Sequence, residues 1–411
     1  MGRVLLCYIS GFDLRRIDDQ STPFTAGAMQ SHPWAHIVNL PSNELFPTLV
    51  TGTDPTEHGV WGVRLKPPAP RSVGARLVDQ LPDGLATAVQ GCLHLWSRGF
   101  DLAAIPPRRR RRFEITRTKY KRRTHRPEAL FGIGGVPTVF DVIGGDRSRY
   151  LFYGGYDPER SLLPRLCMDS QRLEVVELYS LDRHQQWNLD RPEAVRPFYA
   201  RIDRFLRILH EKCEASGWSL MIVSDHGHEP IRGSCDLQER LAGLDVPQEE
   251  YSYFLEVSCA RFWFHTARAR QRIGGVLSNL EHASVAGFAE MGRFGIPLRN
   301  SSYGEVFVFL DPGHIFFPHD FHHPLANLWL GLTDRVQRSR LRDPRQRANH
   351  GHLPHFDTER SFLLLLDPRF RVTRDSGSVL DVAPSLLEVL GSEPPPTMRG
   401  RALFRRRAAG A

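Results

Sequence analysis

The segment "RPFYARIDRFLRILHEKCEASGWSLMIVSDHGHEP", residues 196 to 230, joins the clearest helix of the sequence to one of its clearest strands. Apolar side chains recur at helical spacing from Phe198 to Cys213, and Gly217 is expected to end the helix. The apolar run "SLMIVS", 219 to 224, follows at once and predicts a strand buried on both faces. A helix leading directly into such a strand is typical of an α/β fold with a largely parallel sheet.

Four more short apolar runs extend this pattern in both directions along the chain. They are "VLLCYI" (4 to 9), "RYLFY" (149 to 153), "EVFVFL" (305 to 310) and "FLLLLD" (362 to 367). Each predicts another buried strand of the same kind of sheet.

Chemically active side chains follow two of these runs. Ser10-Gly11-Phe12-Asp13 comes after the first strand, and Asp225-His226-Gly227-His228 comes after "SLMIVS". Ligands collect beyond the carboxyl ends of parallel strands, so these residues are candidates for a functional site. A carboxylate beside an imidazole on rigid backbone suits a divalent metal, although a lone Asp-His-Gly is more often a capped turn.

Composition limits the class of protein. The chain has 411 residues and 41% hydrophobic content, which is enough for a sizeable core on one sheet with insertions or for two domains. No signal peptide is recognisable at the N-terminus, and no apolar stretch of about 18 residues could span a bilayer. The six cysteines form no CxxC pair, which argues against a disulfide framework and a structural zinc site. We therefore expect a soluble, cytoplasmic protein.

Positive charge is concentrated in one segment. Residues 108 to 126, "RRRRRFEITRTKYKRRTHR", contain eleven Lys or Arg and one Glu, a local charge of +10 within a chain of net charge +8. Such a segment is either a binding site for an anionic surface or polyanion, or a solvated loop. The composition leaves both interpretations open.

Five blocks, taken in order, resemble the landmarks of a known family. They are "PSNELFPTLVTGTDPTEHGVWG", "SLMIVSDHGHEP", "YGEVFVFLDPGHIFFP", "NHGHLPHFD" and "SVLDVAPSLLEVLGSEPPPTMRGRALF". The family is the alkaline phosphatase superfamily, and the nearest branch is the type I phosphodiesterase and nucleotide pyrophosphatase group. The resemblance implies a three-layer α/β fold, with a central mostly parallel sheet flanked by helices, over residues 1–411. Residues 66–130 and 231–300 match poorly and are expected to be insertions that form caps.

The resemblance also implies an activity: hydrolysis of phosphodiester or phosphate ester bonds in a small molecule, through a covalent serine intermediate. The nucleophile falls on Ser42, and Asn43 is a candidate donor to a phosphoryl oxygen. Up to two divalent metal ions, usually zinc in this family, are implied. Besides the Ser42 oxygen, the implied metal ligands are Asp225, His226, Asp182 and His350.

Two positions depart from the family pattern. The family has Asp-Gly after the first strand where this chain has Ser10-Gly11, and a His four residues after Asp182 where this chain has Gln186. Asp13 and His184 are the nearest replacements, so Ser10, Asp13, His184 and Gln186 are all uncertain ligands. Loss of a carboxylate and an imidazole supports an alternative, a degenerate family member that binds a phosphorylated or anionic partner without turnover.

Some candidates have simpler explanations. Ser42 precedes a short helix, and spacing alone favours an N-cap, whereas the five blocks favour the nucleophile. Pro47 requires the helix to begin near Phe46 or to bend. His58 is expected to be structural. Ordinary hydrogen bonding is favoured over metal or phosphate binding for the remaining histidines near the proposed ligands, namely His228, His352 and His355.

Overall fold

The computed structural model describes residues 2–41, 44–62, 64–66, 73–86, 88–89, 109, 112–116, 127–322 and 324–408. Ser42, Asn43 and most of the basic segment lie outside these residues. The chain divides into two compact units. The first consists of Met1–Val60, Lys119–Glu229 and Leu353–Ala411, and the second of Trp61–Thr118 and Pro230–His352.

The first unit contains eight helices and nine strands among the described residues. Its helices are α1 (Pro23–Ser31), α2 (Phe46–Thr51), α3 (Pro55–His58), α5 (Val139–Ile143), α6 (Pro158–Leu162), α7 (Ser180–Asn188), α8 (Pro192–Ser216) and α12 (Val382–Leu390). Its strands are β1 (Val4–Ile9), β2 (Trp34–Val38), β5 (Ser148–Tyr153), β6 (Leu173–Leu178), β7 (Ser219–Ser224), β16 (Arg360–Leu366), β17 (Phe370–Val372), β18 (Ser376–Ser378) and β19 (Phe404–Arg406).

The second unit contains further α-helices and strands of the described chain. Its helices are α4 (Val73–Asp79), α9 (Leu237–Ala242), α10 (Ala267–Ser278) and α11 (Pro324–Thr333). Its strands are β3 (Arg64–Lys66), β4 (Glu114–Thr116), β9 (Gly233–Cys235), β10 (Tyr251–Leu255), β11 (Cys259–Phe264), β12 (Ala283–Gly287), β13 (Val306–Leu310), β14 (His314–Phe316) and β15 (Ala348–Asn349). Strand β8 (Glu229–Pro230) lies where the chain passes from the first unit to the second.

A seven-stranded sheet forms the core of the first unit, in the order β18-β2-β16-β7-β1-β6-β5. Strand β16 is antiparallel to both of its neighbours, and every other adjacent pair is parallel. The predicted α/β fold with a large, mostly parallel central sheet and helices is therefore confirmed. Strands β1, β6 and β7 are fully buried, as both faces of a central parallel strand must be.

Helix α8 and strand β7 follow the sequence prediction closely. The helix begins earlier than the apolar periodicity indicated, at Pro192, and its apolar face from Phe198 to Cys213 is buried. It ends at Gly217, whose φ of 69° is the left-handed conformation that glycine adopts without a steric penalty. Local periodicity decided both elements.

Two strand predictions need correction. The run "EVFVFL" was predicted for the parallel sheet, but it forms β13 of a four-stranded antiparallel sheet in the second unit, in the order β10-β11-β13-β12. A short apolar run fits either kind of sheet. Strand β6 was missed because Glu174 and Glu177 interrupt its apolar pattern, although both side chains are buried.

Both predicted insertions contribute to the second unit, which also includes residues 301 to 352. Its core is apolar and includes Leu277, Phe262 and Val308. The described part of the basic segment packs within this unit: Arg109 is buried and donates to Asp320 at 2.6 Å. A purely solvated loop is therefore wrong for Arg109. The placement of the insertions as caps stays a prediction.

Two further sequence expectations concern membranes and thiols. Among the described residues, no helix has the length and apolar character needed to cross a bilayer. The five cysteines in the described part of the chain, Cys7, Cys167, Cys213, Cys235 and Cys259, are all free thiols.

Candidate metal centre

The candidate site lies where three neighbouring strands end. Strands β7, β1 and β6 are adjacent and parallel, so their carboxyl ends meet at one edge of the sheet. Ser10 and Gly11 follow β1, Asp225 and His226 follow β7, and α7, which begins just after β6, carries Asp182. The topology thus brings together residues that are far apart in sequence.

Asp182, His226 and His228 form a buried cluster at this edge. One ligand atom from each lies within 4.8 Å of those of the other two. His228 Nε2 is 3.0 Å from Asp182 Oδ1, and the two imidazole rings are 5.3 Å apart. One carboxylate and two imidazoles are a donor set that zinc and similar divalent ions accept, so the cluster could hold a metal ion.

The environment of His226 is suited to a cation. Its Nδ1 lies 3.0 Å from the Gly227 carbonyl oxygen and donates to it, so Nε2, which lies 3.3 Å from Asp225 Oδ2, is the ring nitrogen that could bind a metal. Burial alone would lower the pKa of His226. The negative charges of Asp225, Asp182 and Glu359 outweigh this effect and raise the pKa of His226 above its ordinary value. The same negative field favours a bound metal ion.

Asp225, a predicted ligand, is outside this cluster and is occupied by protein donors. Its Oδ2 accepts hydrogen bonds from the Tyr8 hydroxyl at 2.5 Å and the Ser10 hydroxyl at 3.0 Å. Its Oδ1 accepts the backbone N–H groups of Gly11 at 2.8 Å and His226 at 2.9 Å. A carboxylate has about four lone-pair sites, so these four donors satisfy it without a metal. Ser10 acts as a hydrogen-bond donor in this arrangement.

Gly11 is required by the close packing of the site. Its φ is 77°, and a Cβ atom there would lie 2.9 Å from His228 Cε1 and 3.0 Å from Asp182 Cα. Only glycine permits both this conformation and this approach. The turn after β1 therefore brings the N–H of Gly11 to Asp225 and leaves room for Asp182 and His228.

Asp13 is engaged in an ion pair and is a poor candidate ligand. The Arg15 guanidinium donates to it at 3.0 Å and 2.8 Å. Burial would raise the pKa of Asp13, but the hydrogen bonds and charge of Arg15 hold it below its ordinary value. Gly227 leaves room for the Asp13 side chain, because a Cβ atom at residue 227 would lie 2.5 Å from the Asp13 carboxyl carbon.

Gln186 and His184 point to different neighbours. Gln186 stands where the family pattern has a histidine. Its amide donates to both oxygens of Asp182, at 3.2 Å and 3.0 Å, and so orients that carboxylate. His184 Nε2 lies 3.0 Å from the carbonyl oxygen of Ala194, and its ring stacks on Phe198. His184 therefore faces α8 and is not among the clustered ligand atoms.

His350 belongs to the second unit and is half-buried. Its backbone carbonyl accepts a hydrogen bond from Ser258 Oγ at 3.1 Å. Its role as a metal ligand stays a prediction.

The other histidines differ in role. His228 lies in the cluster, although ordinary hydrogen bonding is favoured for it on sequence, and the His-Gly-His spacing is the signal that could have found it. His352 Nδ1 lies 3.1 Å from the Leu310 carbonyl oxygen, and His355 is exposed and packs on Phe356.

His58 is fully buried and structural. Its Nδ1 accepts the Val60 N–H at 3.2 Å, so its Nε2 carries the proton and donates to the Thr48 hydroxyl at 2.9 Å. Burial lowers the pKa of His58 to about 3, so it is neutral at physiological pH. It ties the turn after α3 to α2, as the sequence predicted.

The fold has counterparts among solved structures of nucleotide pyrophosphatase / phosphodiesterases. At low sequence identity these structures share the fold of this chain, which is the fold that the five blocks predicted. Murine ectonucleotide pyrophosphatase / phosphodiesterase 5 matches with a TM-score of 0.63 at 13% identity, over 96% of each chain. Its inactive variant in complex with AMP gives 0.63 at 14%, and the human protein 0.57 at 14%, again over 96% of each chain. No family model and no curated protein matches this chain.

Proposed function

We propose that this protein is a metal-dependent hydrolase of phosphodiester or phosphate ester bonds. The observation that carries the proposal is the buried cluster of Asp182, His226 and His228 at the ends of the parallel strands. It lies in a fold shared with nucleotide pyrophosphatase / phosphodiesterase structures. Because one of those structures holds AMP, nucleoside 5′-phosphodiesters are the first substrates to test.

The residues present fit one metal ion better than two. Asp182, His226 and His228 bring donor atoms that suit one divalent ion close together, whereas the oxygens of Asp225 already accept four hydrogen bonds. A divalent ion held there, with zinc the best match to the donor set, would supply the positive charge that activates a hydroxyl and stabilises phosphoryl oxygens. His350, which the resemblance implies as a ligand together with Asp182, stays a candidate.

Ser42 is the proposed nucleophile, and Asn43 the proposed donor to a phosphoryl oxygen. Both lie outside the described residues, so the proposal rests on the family resemblance of the block that contains them. Helix α2 begins at Phe46 with Pro47 in its first turn, and its N-cap is Leu45, which makes no side-chain cap bond. The capping role that spacing favoured for Ser42 stays a prediction, because Ser42 lies outside the described residues.

The proposed reaction has two steps. The Ser42 oxygen bonds to phosphorus as the bond to the leaving alcohol breaks, and water then hydrolyses the phosphoserine ester. Gln186 keeps Asp182 oriented throughout, and Gly11 keeps the strand end close to it.

Elemental analysis of the full chain, purified without chelators, tests the metal site. We expect about one ion per chain in the wild type and in Asp225→Asn, and almost none in Asp182→Asn. Of these two aspartates, Asp182 is a proposed ligand and Asp225 is not. Two ions in the wild type and one in Asp225→Asn would show that Asp225 binds metal and would refute the single-ion site.

Activity is tested with the metal-loaded protein on a panel of phosphodiesters and phosphomonoesters. Ser42→Ala is expected to abolish turnover, and the exposed Ser216→Ala serves as the matched control. Mass spectrometry of rapidly quenched wild type should detect a phosphoryl adduct that Ser42→Ala lacks. Full activity in Ser42→Ala would remove Ser42 from the mechanism.

A second candidate is a protein that binds phosphorylated ligands without turnover. Ser10 and Gln186 favour it, since they satisfy Asp225 and Asp182 with hydrogen bonds where the family has metal ligands. Metal-loaded protein that binds AMP, measured by calorimetry, but hydrolyses nothing on the panel would establish this alternative.

A further inference from the structure

Helix α11 in the second unit exposes large apolar side chains on one side. Leu328 is 50% exposed, Trp329 60% and Leu332 63%, and Leu341 in the next 3₁₀ turn is 43% exposed. Of the nine large hydrophobic residues exposed among the described residues, eight belong to the second unit. A contiguous apolar group of this kind on a folded protein marks an interaction surface.

The opposite side of α11 contacts neighbouring segments of its own unit. Asn327 is buried, lies 2.9 Å from His322 Nδ1 and accepts from Arg340 at 2.8 Å. Gly331 is buried, and a Cβ there would lie 2.7 Å from the Leu341 side chain. The close contact at Gly331 holds the next turn, Arg335–Leu341, against the helix.

That turn supplies positive charge beside the apolar side chains. Arg335, Arg338 and Arg342 are exposed, and the described part of the chain places no carboxylate within ion-pair distance of them. Asp334, the one acidic residue between 324 and 342, uses its carboxylate to accept from Val336 N and the Gln337 amide. The second unit as a whole has 25 Lys or Arg and 17 Asp or Glu in its sequence, a net charge of +8.

We propose that this surface, formed by Leu328, Trp329, Leu332, Arg335, Arg338 and Arg342, docks on an anionic lipid bilayer. Tryptophan and leucine beside arginines are the composition of interfacial helices, whose apolar side enters the headgroup boundary while the cations meet lipid phosphates. Charge complementarity selects an anionic bilayer over a neutral partner. The surface does not depend on the hydrolase activity proposed above.

The test is co-sedimentation of the full chain with vesicles of phosphatidylcholine containing about 30% phosphatidylserine, and with pure phosphatidylcholine vesicles. Each arginine at an anionic surface strengthens binding about fivefold, so Arg335→Glu/Arg338→Glu/Arg342→Glu should weaken partitioning by about 100-fold or more. Trp329→Ser should weaken it at least about tenfold. Brominated lipids should quench a tryptophan signal that Trp329→Phe removes.

Matched controls separate this surface from general positive charge. Arg371→Glu/Arg405→Glu/Arg406→Glu changes three exposed arginines of the first unit, and Val285→Ser changes an exposed apolar residue on β12. Both should bind within about threefold of wild type, and circular dichroism should show that all variants are folded.

Several results would overturn the proposal. One is that the wild type binds neutral and anionic vesicles equally. Another is that the Arg371/Arg405/Arg406 control loses as much vesicle binding as the α11 variants. A third is that vesicle binding falls only when the charges of Arg108 to Arg112 are reversed. Self-association in analytical ultracentrifugation that Trp329→Ser abolishes, with no vesicle binding by wild type, would assign the surface to a second copy of the chain.

Discussion

Ser10 shows how one substitution changes the chemistry of a site. Where the family has a carboxylate, Ser10 donates a hydrogen bond to Asp225, which also accepts from Tyr8. The site therefore holds one carboxylate at this point and needs no second cation to balance it. This is the physical basis for expecting a single metal ion.

Restoring the carboxylate should make stability depend on zinc. Ser10→Asp buries a second negative charge beside Asp225, and we expect it to lower the free energy of unfolding of the metal-free protein by at least about 2 kcal/mol. Bound zinc should recover most of this loss. Thermal unfolding with and without zinc measures both effects.

Ser10→Asn is the control, since it has the same size without the charge and should show no recovery by zinc. Equal destabilisation of Ser10→Asp in both conditions would show that the strand end cannot accommodate a second ion.

Helix ends provide a test at the scale of secondary structure. Gly217 ends α8 at φ 69°, and Gly274 lies inside α10 at an ordinary helical conformation, yet a Cβ at either position meets nothing within 4 Å. Gly217→Ala should therefore destabilise the protein by about 1 kcal/mol through backbone strain alone. Gly274→Ala should stabilise it by up to about 1 kcal/mol. Urea denaturation measures both, and shifts of the same sign would contradict the strain explanation.

The anchor of the basic segment is a second test at this scale. Arg109 donates to Asp320, stacks over the Tyr253 ring at 4.0 Å, and shares Asp320 with the Leu255 N–H. Arg109→Ala removes the guanidinium that donates to the fully buried Asp320 carboxylate, so we expect a loss of about 3 to 5 kcal/mol in unfolding free energy.

Arg112→Ala is the matched control, because Arg112 only donates to the Gln248 side chain and should cost less than about 1 kcal/mol. Equal effects of the two substitutions in chemical denaturation would show that Arg109 is not an anchor.

For the whole molecule, Glu174 should make global stability depend on pH. Burial raises the pKa of Glu174 from 4.5 to about 7. The folded state therefore binds this proton more tightly than the unfolded state, so the protein loses stability as pH rises from about 4.5 to 7, by up to about 3 kcal/mol.

Glu174→Gln removes this titration and keeps an oxygen to accept from the Cys167 N–H. Its gain over wild type in urea unfolding should be large at pH 8 and small at pH 4.5. The exposed Glu393→Gln should show no such difference, and a pH-independent gain in Glu174→Gln would contradict the assignment.

The sequence by itself determined the elements whose information is local. Helix α8 and strand β7 follow from the spacing of apolar residues and a terminal glycine, and the five ordered blocks predicted the fold. Tertiary structure decided what each polar residue does, because its partners are distant in sequence. Tyr8 and Ser10 meet Asp225 only when β1 and β7 pair. His228 reaches Asp182 only because β6 and β7 end at the same edge of the sheet. A hydrogen bond across more than two hundred residues leaves no pattern in one sequence.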